Sequence, residues 1–292
     1  MLHPSPRQVL RGYRRGAGDP TTRLGPDEFW RATLTPQGPG TLHLSWTGEQ
    51  HQMHAAAWGP GGAWLLERVP AFTGALDQGH RFTNAHPAIM TAQHHHPNLR
   101  MGASGTPYHE LLPIILEQRI TTGEAVAQWQ RLVRRLGEPA PGPTSLLLPP
   151  TPAALLAKPA WWFHPLGIEG RRAETLREVA RHAAHVNEWA VLPAHDAEQR
   201  LSLLRGVGQW TIGSVLGVAW GHPDAVAVGD FHLKNIVVHA LTGRARGSDE
   251  EMLELLAPYA GQRGRAVQLL LAGGHRPPAF GPRQRVVSMR RW

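Results

Sequence analysis

The sequence predicts an α+β protein, with a small antiparallel β-sheet unit over residues 1–104 followed by an all-α unit over residues 105–292. Three observations carry this reading. Short, partly alternating apolar runs lie between residues 29 and 58, separated by proline and glycine. Beyond residue 105, apolar residues recur at helical spacing behind recognisable start signals. A chain of 292 residues can also bury a substantial core, as one large domain or two modest ones.

The strand runs are residues 29–35, 41–46 and 51–58, with Pro36-Gln37-Gly38 marking the first turn. Residues 69–78 read as a helix. An irregular polar stretch follows, ending at Met101-Gly102-Ala103-Ser104-Gly105, where the two units meet. Within it, His94-His95-His96 precedes Pro97 with no acidic neighbour and no i, i+4 partner, which reads as a solvated loop rather than a metal site.

Thr106 before Pro107 is a helix start with proline at the first helical position, opening a helix over 107–119. Thr121 with Glu124 makes a capping box for a helix ending at Gly137, in which Ala125, Trp129, Leu132, Val133 and Leu136 form the core face. Residues 138–152 are proline-rich and predict an extended connection, with Thr151-Pro152 starting a short helix. Further helices are predicted over 171–187, 194–204, 209–220, 231–241, 248–258 and 263–271, the fifth opened by a second capping box, Ser248 with Glu251. The all-α unit should therefore hold roughly eight to ten helices, without an internal repeat.

Composition narrows the function classes. Thirty Lys and Arg against 22 Asp and Glu give a formal net charge of +8, which favours a polyanionic partner such as nucleic acid. No run approaches the ~20 apolar residues of a spanning helix, and the N-terminus has no signal-type apolar core, so a soluble cytoplasmic protein without a membrane partner is expected. The absence of cysteine excludes disulfides, thiolate zinc sites, iron–sulfur clusters and a catalytic thiol.

Two segments carry chemistry. In Leu203-Leu204-Arg205-Gly206-Val207-Gly208-Gln209-Trp210-Thr211 a Gly-x-Gly turn joins two helices. Such a turn leaves unpaired N–H groups at the positive end of a helix dipole, a setting that suits a DNA phosphate. About twenty residues on, Ala225-Val226-Ala227-Val228-Gly229-Asp230-Phe231-His232-Leu233 is an apolar extended stretch ending in an aspartate at the mouth of the next helix. An aspartate there accepts backbone N–H bonds and faces the positive dipole end, the setting of a plain cap and equally of a charge stabiliser or general base.

Together these segments resemble the helix-hairpin-helix plus Gly/Pro-Asp signature of the base-excision DNA glycosylase superfamily, most closely its 3-methyladenine DNA glycosylase II family. Ile114-Ile115-Leu116-Glu117-Gln118 is similar to that family's helix leading to its DNA-inserting loop, and Leu166-Gly167-Ile168 with Arg172-Ala173 is similar as well. The likeness spans most of residues 100–275. It implies a helical glycosylase domain of two lobes with a base pocket between them, acting as a monomer on double-stranded DNA that contains damaged bases.

By this resemblance Asp230 is the catalytic carboxylate, and Trp210, Phe231 and Gln118 belong to the base pocket. Gly206, Val207, Gly208, Gln209 and Thr211 bind DNA through the hairpin, Arg119 or Ile120 is the wedge that fills the gap left by the extruded base, and Arg263 and Arg265 reach flanking phosphates. The backbone carbonyls of Ser202, Leu204 and Val207 lie where relatives hold a monovalent cation, K⁺ or Na⁺. No cofactor is otherwise required.

Departures from the family pattern sharpen the expectation. Trp210 occupies the position of the Schiff-base lysine found in branches that also cut the strand, so hydrolysis alone is expected. Ser214 lies one turn beyond Trp210, and Gln262-Arg263-Gly264-Arg265 stands where an aromatic pair is usual. The expected substrate is an alkylated purine of the 3-methyladenine or 7-methylguanine type. Two other readings stand beside it: a glycosylase for oxidised or mismatched bases, and a non-catalytic helix-hairpin-helix DNA-binding protein.

Overall fold

A computed structural model describes residues 6–47 and 52–278; residue 51 of the third predicted strand and the outermost residues of both predicted units fall outside it. A short helix, α1 (Pro6–Leu10), and a 3-10 turn through Tyr13 lead into four strands, β1 (Thr22–Leu24), β2 (Glu28–Thr35), β3 (Gly38–Trp46) and β4 (Met53–Trp58). They form one antiparallel meander in the order β1-β2-β3-β4. The hairpin between β2 and β3 closes across Pro36-Gln37, with Thr35 paired to Gly38. The sequence pattern misses β1, since three residues are too few to show alternation.

Both faces of β2 are covered. Phe29, with Leu42 and Leu44 of β3, packs on Leu10, Tyr13, Leu65 and Phe72. On the opposite face Trp30 and Ala32 meet Ala140, Leu146 and Leu148 of the proline-rich segment, so this extended connection also shields the sheet. The helix predicted over 69–78 lies earlier, as α2 (Gly62–Phe72). Pro70 sits in the last turn, and Leu65 and Phe72 set the buried face.

The stretch read as irregular contains α3 (Pro87–His95), opened by His86, whose side chain accepts from the Ala88 N–H. His94 and His95 thus lie in a last helical turn and not in a loop. Phe82, Ile89, Ala92 and Leu99 share an apolar cluster with the C-terminal helices, although they precede residue 104.

Among the described residues ten helices follow: α4 (Pro107–Glu117), α5 (Thr122–Leu136), α6 (Pro152–Leu156), α7 (Gly170–Arg181), α8 (Ala183–Glu188), α9 (Ala194–Ser202), α10 (Gln209–Ala219), α11 (Leu233–Thr242), α12 (Asp249–Leu256) and α13 (Arg263–Ala272). The predicted helix 171–187 is split between α7 and α8 at His182, whose φ of −102° and ψ of 12° leave the helical region. Thr121, Thr151 and Ser248 cap α5, α6 and α12 with their side chains, as predicted for α5 and α12. Two apolar clusters result: α4 to α10 surround Trp129, Leu132 and Val215, while α3, α11, α12 and α13 surround Val237 and Leu270.

A buried polar network ties the sheet to α4. Arg31, 1% exposed, is ion-paired to Glu110 and lies 3.2 Å from His109 Nδ1, which is 2.9 Å from Thr33 Oγ1. Burial, reinforced by the charges of Arg31 and Arg15, holds the His109 pKa well below its usual value, so the ring is neutral and Nδ1 accepts. Removing Glu110 would strand the buried Arg31 charge, at a cost of roughly 3–5 kcal/mol.

Candidate active site

The hairpin runs from the end of α9 through Leu203–Gly208 into α10. Its two glycines serve different ends. Gly206 has φ +87°, and a Cβ there would stand 2.1 Å from Thr175 Oγ1 of α7, so both conformation and packing demand glycine. Gly208 has an ordinary extended backbone, and a Cβ there would meet nothing within 4 Å. It is the N-cap of α10 and offers no side-chain acceptor, so the first N–H groups of the helix are free for an external anion.

Around that turn the predicted residues divide. Gly208 and Gln209 are exposed, whereas Val207 and Thr211 are buried. The Thr211 hydroxyl lies 3.0 Å from Gln118 Nε2, which also donates to the Gly206 carbonyl at 3.0 Å. Gln118 therefore fastens the end of α4 to the hairpin. Next to it Arg119 is exposed and left-handed, with φ +59°, an uncommon conformation for a side-chain-bearing residue, and Ile120 is half-buried. Of the three carbonyls implied for a cation, that of Leu204 accepts the Val207 N–H at 3.1 Å.

Asp230 is held by three donors. Its Oδ1 accepts the N–H groups of His232 at 2.8 Å and Leu233 at 2.9 Å, and its Oδ2 accepts Trp210 Nε1–H at 3.0 Å. Because the carboxylate takes those N–H groups, α11 begins at Leu233 and not at 231 as predicted. The turn before it is fixed in turn by Asp249, which accepts the Gly229 N–H at 3.0 Å and lies 2.9 Å from Lys234 Nζ. Burial pushes the Asp249 carboxyl upward, but the bonds from Lys234 and Gly229 outweigh it and leave its pKa lowered.

A second carboxyl stands in this neighbourhood. Burial raises the Glu117 pKa, Arg15 opposes the shift, and the Asp230 charge adds to it. The Arg15 guanidinium lies 3.4 Å from Glu117 Oε1.

Beside Asp230 opens a cavity of about 500 Å³. Its walls come from four places: Val9, Gly12 and Tyr13 ahead of the sheet, residues 99–102 before α4, Gly213, Ser214, Gly217 and Val218 of α10, and the segment 225–227 with α11 and α13. Trp210, Phe231 and Gln118 are not in its wall, contrary to the sequence reading. The Trp210 indole is spent on Asp230, and Phe231, displaced into the turn, is 77% exposed. The N-terminal residues escaped sequence reading because nothing local links residue 13 to residue 230. The Gly213-x-x-x-Gly217 spacing was legible.

Arg265 is a further correction. Its side chain is 3% exposed and forks onto Asp77 at 2.7 and 2.9 Å, so it locks α13 to the segment after α2 and cannot reach a phosphate. Arg263 is engaged with Asp224, its Nε donating at 2.8 Å, and remains partly exposed.

Residues 112–259 match the family described as HhH-GPD superfamily base excision DNA repair protein. The chain belongs to that superfamily. The match starts within α4 and ends just beyond α12, so it includes the hairpin and Asp230. Among curated relatives of this HhH-GPD protein, the putative DNA-3-methyladenine glycosylase YfjP of Bacillus subtilis (strain 168) is 26% identical over 145 residues, 46% of this chain. The chain spans about half (50%) of the length of that relative.

Two solved structures share the fold. The 3-methyladenine DNA-glycosylase from Archaeoglobus fulgidus superposes with a TM-score of 0.76 at 17% identity, covering 93% of this chain and 96% of that one. An 8-oxoguanine glycosylase/lyase of Clostridium acetobutylicum, in complex with duplex DNA, gives 0.57 at 12% identity, covering 86% and 96%. The sheet followed by helices is thus an HhH-GPD glycosylase fold. Among the described residues no helix is long and apolar enough to cross a membrane.

Proposed function

We propose that this protein is a monofunctional DNA glycosylase that hydrolyses the N-glycosidic bond of an extruded alkylated purine in duplex DNA. The observation that carries the reading is Asp230, fixed by three donors at the edge of the cavity and following a phosphate-binding hairpin. A non-catalytic DNA-binding protein has no use for that pairing of carboxylate and cavity.

In this scheme the free N–H groups of α10 take a phosphate oxygen, and Arg119, presented at the loop tip, enters the stack as the base leaves it. The glycosidic C–N bond breaks with its electron pair passing to the base, which discharges the positive charge of an N-alkylated purine. The sugar becomes oxocarbenium-like. Asp230 stabilises that cation and orients a water, whose oxygen bonds to the anomeric carbon as its proton is released. A K⁺ or Na⁺ on the carbonyls of Ser202, Leu204 and Val207 would supply a bridge to a phosphate and take no part in bond breaking.

Two features support hydrolysis without strand cleavage. Trp210 donates to Asp230 where a Schiff-base amine would stand, and Lys234 is committed to Asp249. Borohydride should therefore trap no protein–DNA adduct, and product strands should break only after alkali. The deciding experiment is a base-release assay on methylated, oxidised and deaminated duplexes with wild type and Asp230→Asn in parallel. Single-turnover release of 7-methylguanine should exceed that of 8-oxoguanine; the reverse order would assign the enzyme to oxidised bases.

A further inference from the structure

The cavity beside Asp230 is larger than a methylated base requires. At about 500 Å³ it falls in the range of roughly 300–1,000 Å³ that encloses drug-sized ligands, and a methylated purine is smaller than those. The rings in its wall are Tyr13 and the His232 imidazole, and the Tyr13 ring is 2% exposed with its hydroxyl donated to the Phe72 carbonyl at 2.9 Å. The aliphatic side chains of Val9, Val218, Val267 and Leu271 share the lining with Gln8, Arg100 and Gln268.

Three helical glycines in the wall show which space is built and which is incidental. A Cβ on Gly213 would stand 2.1 Å from the Val226 carbonyl oxygen, and one on Gly264 would stand 2.5 Å from that of Ala225. Backbone packing demands both. Gly217, one turn after Gly213 in the interior of α10, is different, because a Cβ there would meet nothing within 4 Å. Its φ is helical, so neither conformation nor packing calls for glycine, and glycine weakens a helix relative to alanine. Gly12, across the chain in the segment before the sheet, also has open space where its Cβ would stand and also lines the cavity. Two elements far apart in sequence thus each border the cavity with a glycine that packing does not require.

We infer that the cavity takes a purine whose N-alkyl substituent is an apolar group much larger than methyl, such as a benzyl group, lying beside Gly217 and Gly12. This rests on the glycosylase reading above, with Asp230 acting on the same glycosidic bond. The large group gains aliphatic contacts that a methyl group cannot reach, and water leaves the cavity with it.

The test compares duplexes carrying a single 7-benzylguanine or 7-methylguanine, together with 2′-fluoro counterparts whose glycosidic bond resists cleavage. Wild type should release and bind both. Gly217→Phe should lower the benzyl-to-methyl ratio of single-turnover rates by about tenfold or more, since a single methylene in an apolar pocket is already worth about 10–200-fold. Gly12→Leu, on a separate element, should lower the same ratio and guards against a folding defect in α10. Gly217→Ala should lower it far less.

Release of 7-methylguanine without 7-benzylguanine by wild type would overturn the inference and leave the glycosylase reading intact. Equal slowing of both bases by Gly217→Phe and Gly12→Leu would overturn it too. If neither base is released, yet wild type binds the 2′-fluoro benzyl duplex at least tenfold more tightly than Gly217→Phe does, the cavity assignment stands and the catalytic reading fails. Loss of release with no such binding difference removes both.

Discussion

Two helix entrances twenty residues apart solve one electrostatic problem in opposite ways. Every helix begins with N–H groups that lack intrahelical partners and with the positive end of its dipole. At α11 the protein fills that position itself, since Asp230 accepts two of those N–H groups and an indole donor besides. At α10 it leaves the position open, since Gly208 brings no acceptor and no bulk. The filled entrance fixes an anion inside the protein, where it can face a developing cation. The open one is available to an anion from outside. A cap read only as a stabilising device would make these two positions equivalent; the identity of one residue separates an entrance that holds its own anion from one that holds none.

The comparison can be broken at several points. The largest effect is expected at the filled entrance. Asp230→Asn retains the shape and part of the capping but removes the charge, so single-turnover base release should fall by on the order of 10²–10³-fold while duplex affinity survives. Retained activity would reduce Asp230 to a plain cap. Next comes Gly206→Ala, in which a left-handed residue is forced to carry a Cβ against Thr175; chemical denaturation should show a loss of about 1–3 kcal/mol. An unaltered midpoint would mean that the hairpin relaxes freely.

Gly208→Asp would make the open entrance resemble the filled one. The added carboxylate finds space and unpaired N–H groups, so thermal stability should hold or rise by a few tenths of a kcal/mol. Affinity for damaged and undamaged duplexes should drop about tenfold alike, because a phosphate contact reads no sequence. A loss confined to damaged DNA would instead tie the hairpin to the base pocket.

The smallest effect concerns Asp249, which braces the turn before Asp230. Its pKa is lowered in the folded protein, so the stability it contributes is present above the ordinary carboxylate range and is lost as pH falls through the lowered value. The urea midpoint of wild type should therefore decline on the acid side more steeply than that of Asp249→Asn. Parallel acid limbs would show that Lys234 and Gly229 need no charged partner.

The sequence alone determined what depends on near neighbours. Capping at Thr121 and Ser248, helical spacing along α5, the glycine turn at 206–208 and an aspartate at the mouth of α11 are all short-range features, because a cap or an amphipathic face is written within a few residues. Tertiary structure decided which of those residues meet. It gave the Trp210 indole to Asp230, paired Arg265 with Asp77 across 188 positions, and swung Phe231 into solvent. It also brought Val9, Gly12 and Tyr13 to the wall of a cavity bordered by residue 230. No local signal encodes such meetings, since they follow from how the two helical clusters and the sheet pack. The volume left beside Gly217 belongs to that packing and not to any one segment.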